Sequence, residues 1–147
     1  MSFFKAMDIS SSGLAAQRLR MNVLSSNLAN AQSTRGGENG GVYKRQDVVF
    51  SATPTGGKFE DFLEGGANGS ELQKVEVIDI HHDTNPPRKV FDPAHPDADA
   101  TGFVEMPNIQ VMSEMVNMIA ATRAFEANAT ALNDAKQMAM KALEIGR

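Results

Sequence analysis

The sequence contains neither cysteine nor tryptophan. Without a thiol there is no disulfide framework, thiolate zinc site, iron–sulfur cluster or cysteine nucleophile, and the redox compartment is left open. Large apolar residues are scarce as well: Leu, Ile, Val and Phe number 32 of 147, about 22%, while 19 further apolar positions are alanine. That is just above the range in which chains bury too little apolar surface to offset the entropy of ordering. The length suits one domain, or a small core carrying long extensions. No run of 18 apolar residues occurs, so no transmembrane helix is expected. Asp8, Ser10, Ser11, Ser12 and Gln17 break up the apolar stretch a secretory signal needs, so any exit from the cytoplasm is expected to use another route. The formal charge is −4, and the acid is concentrated between residues 31 and 108, where 13 acidic side chains face seven basic ones. No basic patch is present to neutralise phosphates, so no nucleic-acid partner is expected.

Three stretches separate by composition, and they give the expected organisation: residues 1–30, residues 31–108 and residues 109–147. In the first, Met7, Leu14, Met21 and Leu28 recur every seven residues with Leu24 and Ala31 interleaved, which places them on one face of a helix. Ser2 suits its start and Asn30 its end. Gly13 costs about 1 kcal/mol inside a helix, so the first turns are expected to fray or to form a separate short helix. In the last stretch, Val111, Met115, Met118, Thr122, Phe125, Ala129, Leu132, Lys136, Ala139 and Leu143 follow a 4-3 alternation, flanked at first by Met112, Val116 and Ile119. A helix from Met112 to Ile145 would run about 50 Å. Pro107 and Asn108 suit its start and Gly146 its stop.

The middle stretch holds all six prolines and most of the glycines. Val42, Tyr43 and Val48 to Phe50 suggest one strand, Leu72 to Ile80 alternates with period two, and Lys89 to Phe91 and Phe103-Val104 are shorter candidates. The pairs Gly36-Gly37, Gly40-Gly41, Gly56-Gly57 and Gly65-Gly66 punctuate the chain into turns. The expected fold is mainly α with a small β module: two long terminal helices forming a coiled-coil-like pair, and a loop-rich β segment of three to five strands between them.

Such a helix pair has a solvation problem. Ordering about 60 residues costs on the order of 60–120 kcal/mol of backbone entropy, and helices this rich in alanine recover little of it alone. Pairing buries one stripe on each helix and leaves the Met112, Val116 and Ile119 flank uncovered. The physical reading is helices completed by neighbouring molecules. The expected contact residues are Met7, Leu14, Met21, Leu24, Leu28, Met112, Met115, Val116, Met118, Ile119, Phe125, Ala129, Leu132, Ala139 and Leu143.

Catalytic signals are weak. His81-His82-Asp83 and Asp92-Pro93-Ala94-His95-Pro96-Asp97-Ala98-Asp99 combine imidazoles with carboxylates, and Asp97, Asp99, Thr101 and Gly102 match the start of a calcium-binding EF-hand loop. The match fails at Asn108, where a bidentate Glu is needed, and at Pro107. The alternative is a rigid turn in which carboxylates hold backbone N–H groups. A metal-dependent enzyme or sensor centred on His95, Asp97 and Asp99, and a protein lying on a membrane surface, stand as competing readings. No nucleophile elbow or phosphate loop occurs, so no catalytic residue, metal or cofactor is expected.

Ser12-Gly13-Leu14, then Asn27-Leu28-Ala29-Asn30, resembles the N-terminal signature of bacterial flagellar rod and hook proteins. Met112 to Ile119, Arg123-Ala124-Phe125-Glu126-Ala127-Asn128 and the closing Ile145-Gly146 resemble the C-terminal one. Asp92, Pro93, His95, Pro96 and Asp97, leading through Thr101 to Val104, resemble the proximal members of the rod. Phe103 and Phe125 stand where Tyr is usual, and Pro87 where an aromatic is frequent. The 78 residues from Ala31 to Asn108 leave little room for the large inserted domain of distal members. The resemblance implies a structural protein and not an enzyme. It implies export in an unfolded state by the flagellar type III apparatus, and polymerisation with copies of itself and with other rod proteins. The product would be a torque-transmitting shaft around a central channel, in the basal-body rod across the periplasm.

Overall fold

A computed structural model describes residues 3–37, 40–54 and 73–145. Helix α1 spans Phe3–Ala29 and helix α2 spans Val111–Ile145. Between them lie strands β1 (Gln46–Pro54), β2 (Gln73–His82), β3 (Arg88–Phe91) and β4 (Phe103–Met106). The strands form two separate two-stranded sheets, β1 with β2 and β3 with β4. The mainly α architecture with a small β segment is thus the one expected. Val42 and Tyr43 lie outside any strand, because β1 begins only at Gln46. The expected cap Ser2, the pairs Gly56-Gly57 and Gly65-Gly66, Leu72 and the stop Gly146 lie outside the described residues.

Two compact units draw on both helices. One comprises Met1–Arg18, Phe50–Ile78 and Thr122–Arg147, the other Leu19–Val49 and Asp79–Ala121. Burial is unequal between them. Val23, Leu24, Asn27, Ala31, Tyr43, Val48, Val104, Pro107, Ile109, Glu114 and Ala121 are buried in the second unit, whereas the first buries Ala16 and Ala135 among its described residues. In the second unit Ala31, Tyr43 and Ile109 form one apolar cluster. Asn27 meets Glu114 there, which brings the end of α1 against the start of α2.

Helix α1 passes through Gly13 without a break, contrary to the expected fraying. The reason is packing: a Cβ at Gly13 would lie 3.1 to 3.2 Å from the side-chain atoms of Asn128, so the glycine admits a close neighbour that alanine would crowd. Beside it, the Ser12 hydroxyl donates to Ile9 O at 2.7 Å and accepts from the Val75 N–H at 3.1 Å.

The inward face of α2 is one residue out of phase with its large apolar residues. Glu114, Ala121, Asn128 and Ala135 recur every seven residues, and Glu114, Ala121 and Ala135 are buried. Met118, Phe125, Leu132 and Ala139, four residues further on in each repeat, are half-buried. The seam is therefore mostly small or polar.

In the β3–β4 hairpin Val90 pairs with Val104 and Phe91 with Phe103. Val104 is fully buried, and the two phenyl rings meet edge to face with centroids 5.2 Å apart. Gly102 precedes β4 with φ of 80°, and a Cβ there would approach the Phe91 ring to 3.0 Å. Gly102→Ala therefore adds a left-handed backbone penalty and a ring clash, and is expected to destabilise the hairpin by about 1–2 kcal/mol. Denaturant unfolding of the variant checks this: a midpoint equal to that of the parent chain contradicts it.

Candidate functional site

Two features of the second unit lie on opposite sides of α2. The first is a buried polar cluster. Asn27 is wholly buried, and its amide uses all four hydrogen-bonding positions. Nδ2 donates to Gln46 O at 2.8 Å and to Glu114 Oε2 at 3.1 Å, while Oδ1 accepts from Gln46 N at 3.0 Å and from the Tyr43 hydroxyl at 3.0 Å. The side chain thus pairs with Gln46 much as a neighbouring strand would, at the point where β1 begins. Tyr43 also shares a hydrogen bond with Ser26 at 3.2 Å. Arg45 Nε donates to Glu114 Oε1 at 2.8 Å, and Arg45 Nη1 reaches Asp47 at 3.3 Å. Burial by itself would lower the pKa of the Arg45 guanidinium. Hydrogen bonds and charge attraction with Glu114 and then Asp47 together outweigh that, holding it above the ordinary arginine value.

The second feature is an apolar strip on α2. Met112 is 74% exposed, Val116 and Ile119 are each 62% exposed, and Met115 is exposed beside them. Their spacing puts all four on one helical face. Glu114 is two residues from both Met112 and Val116, about 200° round the helix from each. Packing that buries the carboxylate therefore turns the strip toward solvent.

Of the other expected contact residues, Leu24 is buried within the chain. Met7, Leu14, Met21, Leu28, Met118, Phe125, Ala129, Leu132 and Ala139 are half-buried, and Leu143 is exposed. The signature residues serve local geometry. Asn30 Nδ2 closes α1 by donating to Ser26 O, and Ala29 faces solvent. Arg123 pairs with Glu126 on the surface at 2.9 Å. Asp92 Oδ1 accepts from Ala94 N across the exposed Pro93, and His95 Nδ1 accepts from Asp97 N beside the exposed Pro96. Asp99 Oδ1 takes three hydrogen bonds, from Thr101 N, Thr101 Oγ1 and Phe103 N, which is the Asp-turn arrangement. Asp97 accepts from Thr34 Oγ1 at 2.7 Å and is also paired with Arg35, tying this loop to the segment after α1. Sequence reasoning missed Arg45, Tyr43 and Glu114. The only available signal was a lone charge, Glu114, among the eleven residues from Val111 to Ala121.

The comparisons agree at both ends of the chain. A family model described as flagella basal body rod protein matches residues 7–36, and one described as flagellar basal body rod FlgEFG protein C-terminal matches residues 100–145. Curated relatives named flagellar basal-body rod protein FlgC align along the whole length. The relative from Bacillus subtilis is 42% identical with all of each chain covered, and that from Salmonella typhimurium is 40% identical with the same coverage. The relative from Borreliella burgdorferi is 40% identical over 99% of this chain and 98% of its own.

The hydrogen bond from Thr34 and then that from Arg35 hold the Asp97 carboxyl below the usual carboxylate range. A lowered folded pKa means that the stabilisation is complete above the ordinary carboxylate range and disappears as pH falls through Asp97's own value. Acid is therefore expected to release Thr34 and Arg35 from the 92–102 loop. An NMR pH titration of the Thr34 amide shift should show that transition, and Asp97→Asn should abolish it; an unchanged transition in the variant contradicts the assignment.

Proposed function

The chain belongs to the FlgC family of flagellar basal-body rod proteins, and we propose that it polymerises through its terminal helices into the proximal rod, with the Met112–Ile119 strip of α2 as a contact face. It is a structural subunit of the basal-body rod, not an enzyme, and it associates with other flagellar basal-body components. In this reading residues 1–30 and 109–147 form the axial helical part, and residues 31–108 the module carried on it. The shaft transmits torque by compression and shear through packed helices around the export channel. Copies of the same chain and the other rod proteins are the neighbours, and the flagellar type III apparatus delivers the chain across the cell envelope to the rod.

The exposed strip is the observation that carries the proposal. Four large apolar side chains at helical spacing, left open while the seam of the same helix is filled by alanine and polar residues, fit a helix completed from outside. The strip's surroundings hold no lysine or arginine between Val111 and Thr122, which disfavours a membrane surface as the cover.

Burying an exposed Val or Ile contributes about 1.5–3 kcal/mol each, so charges at both positions remove several kcal/mol per contact. Val116→Glu with Ile119→Glu is expected to leave the circular dichroism of the free chain unchanged. In cells lacking the native copy, the same variant should abolish rod incorporation and swarming. Normal swarming by the doubly charged variant contradicts the proposal.

A further inference from the structure

We infer that Ser12 is a positioning residue: its hydroxyl ties the β1–β2 ribbon to α1 beside the point where α1 meets α2, and the tie is made only when the terminal helices form in the rod. The inference rests on the proposed completion of those helices by neighbouring subunits. Three observations carry it.

The first is an acceptor whose direction depends on the helix. The Ser12 hydroxyl donates to Ile9 O at 2.7 Å, three residues back on α1, which commits its only proton and leaves its lone pairs as acceptors. The Val75 N–H of β2 meets one of them at 3.1 Å, across 63 residues of chain. In a two-stranded ribbon every second N–H of each strand points away from the partner strand, and here a side chain of α1 supplies the missing acceptor. The bond to Ile9 O requires residues 9 to 12 to be helical. While α1 is unformed the hydroxyl has no fixed direction and β2 has no partner there.

The second is what surrounds the contact. One residue on, a Cβ at Gly13 would lie 3.1 to 3.2 Å from the Asn128 side chain, whose Nδ2 is itself held on Ala124 O at 2.9 Å. Ser12 and Gly13 are about 100° apart round α1, so a single turn of that helix meets β2 on one side and α2 on the next. Asp8, one turn before Ser12, acts on the neighbour of Val75: the Lys74 ammonium is held above the ordinary lysine value first by its hydrogen bond and charge attraction to Glu76, and the Asp8 charge adds to them.

The third is the weakness of the alternative. All of these residues lie in the unit built from the two termini and residues 50–78, which buries only Ala16 and Ala135 among its described residues. A ribbon of two strands is marginal alone in water, and Ile78 of β2 is 67% exposed. Apolar burial therefore does little to place the ribbon on α1, and a directed hydrogen bond does it instead.

Hydrogen exchange read by mass spectrometry at residues 73–78 tests this, on the free full-length chain and on isolated basal bodies. The stretch is expected to exchange faster in the free chain than in the rod, where α1 is formed. In basal bodies carrying Ser12→Ala it should exchange roughly three- to tenfold faster than in parent basal bodies, with the 88–106 hairpin unchanged. Ser12→Thr keeps the hydroxyl and should show the parent rate. Equal exchange of 73–78 in the alanine and parent rods overturns the inference, and so does equal protection in the free chain and the rod. If Ser12→Ala is not incorporated, the threonine variant decides: incorporation at the parent exchange rate supports the tie, and failure of both variants overturns it. Normal incorporation by the Val116→Glu, Ile119→Glu variant with the exchange result intact would instead remove the role of the strip and leave the Ser12 tie standing.

Discussion

Burial of the Glu114 carboxylate between Asn27 and Arg45 constrains everything around it. A helix that turns one carboxylate inward must turn its opposite side outward, and on α2 that opposite side carries Met112, Val116 and Ile119. The charge is tolerated because each of its oxygens meets a donor held from elsewhere: the Asn27 amide is already committed to Gln46, and the guanidinium of Arg45 comes from the loop leading into β1. Buried ion pairs add little net stability, since desolvation consumes most of the attraction.

The small seam and the exposed strip are two sides of one arrangement. Gly13 admits Asn128 closely, and Ala121 and Ala135 are buried, but small side chains remove little apolar area from water. Burial accordingly concentrates in the unit containing the end of α1 and the start of α2. The other unit, built from the chain termini, has few buried residues of its own among those described. A subunit made this way reserves much of its apolar surface for contacts it does not supply itself. That suits the proposed role, in which the helices become buried in a shaft.

Sequence alone reached the helices and most of the strands, because 27- and 35-residue helices repeat their signal many times and the period-two run before His82 is long. It also marked an apolar stripe on α2 running from Val111 through Met115, Met118 and Phe125. It assigned that stripe to the intrachain pair, with a flank left over, because periodicity weighs large apolar residues and is blind to a seam made of Glu, Ala and Asn. Position 114 was illegible for the same reason: a solitary glutamate at the start of a helix reads as a favourable charge near the positive end of the dipole. Only the placement of Asn27 and Arg45, 87 and 69 residues away in the chain, shows it as a buried contact. The Asp92–Asp99 segment went the other way. Its turn chemistry was readable, since Asp and Pro act on backbone groups a few residues off, while the tie from Asp97 to Thr34 was not.

The central claim, that the α2 strip is covered by a neighbouring subunit in the rod, meets its most direct test in the methionines themselves. Thioether oxidation reports solvent access, and Met112 stands exposed at the head of the strip. Peroxide oxidation of Met112 and Met115 should be compared between the free chain and isolated basal bodies, with mass spectrometry as the readout. The account predicts that both oxidise roughly tenfold or more slowly in the rod, as burial of the thioether demands; equal rates in the two states would contradict it.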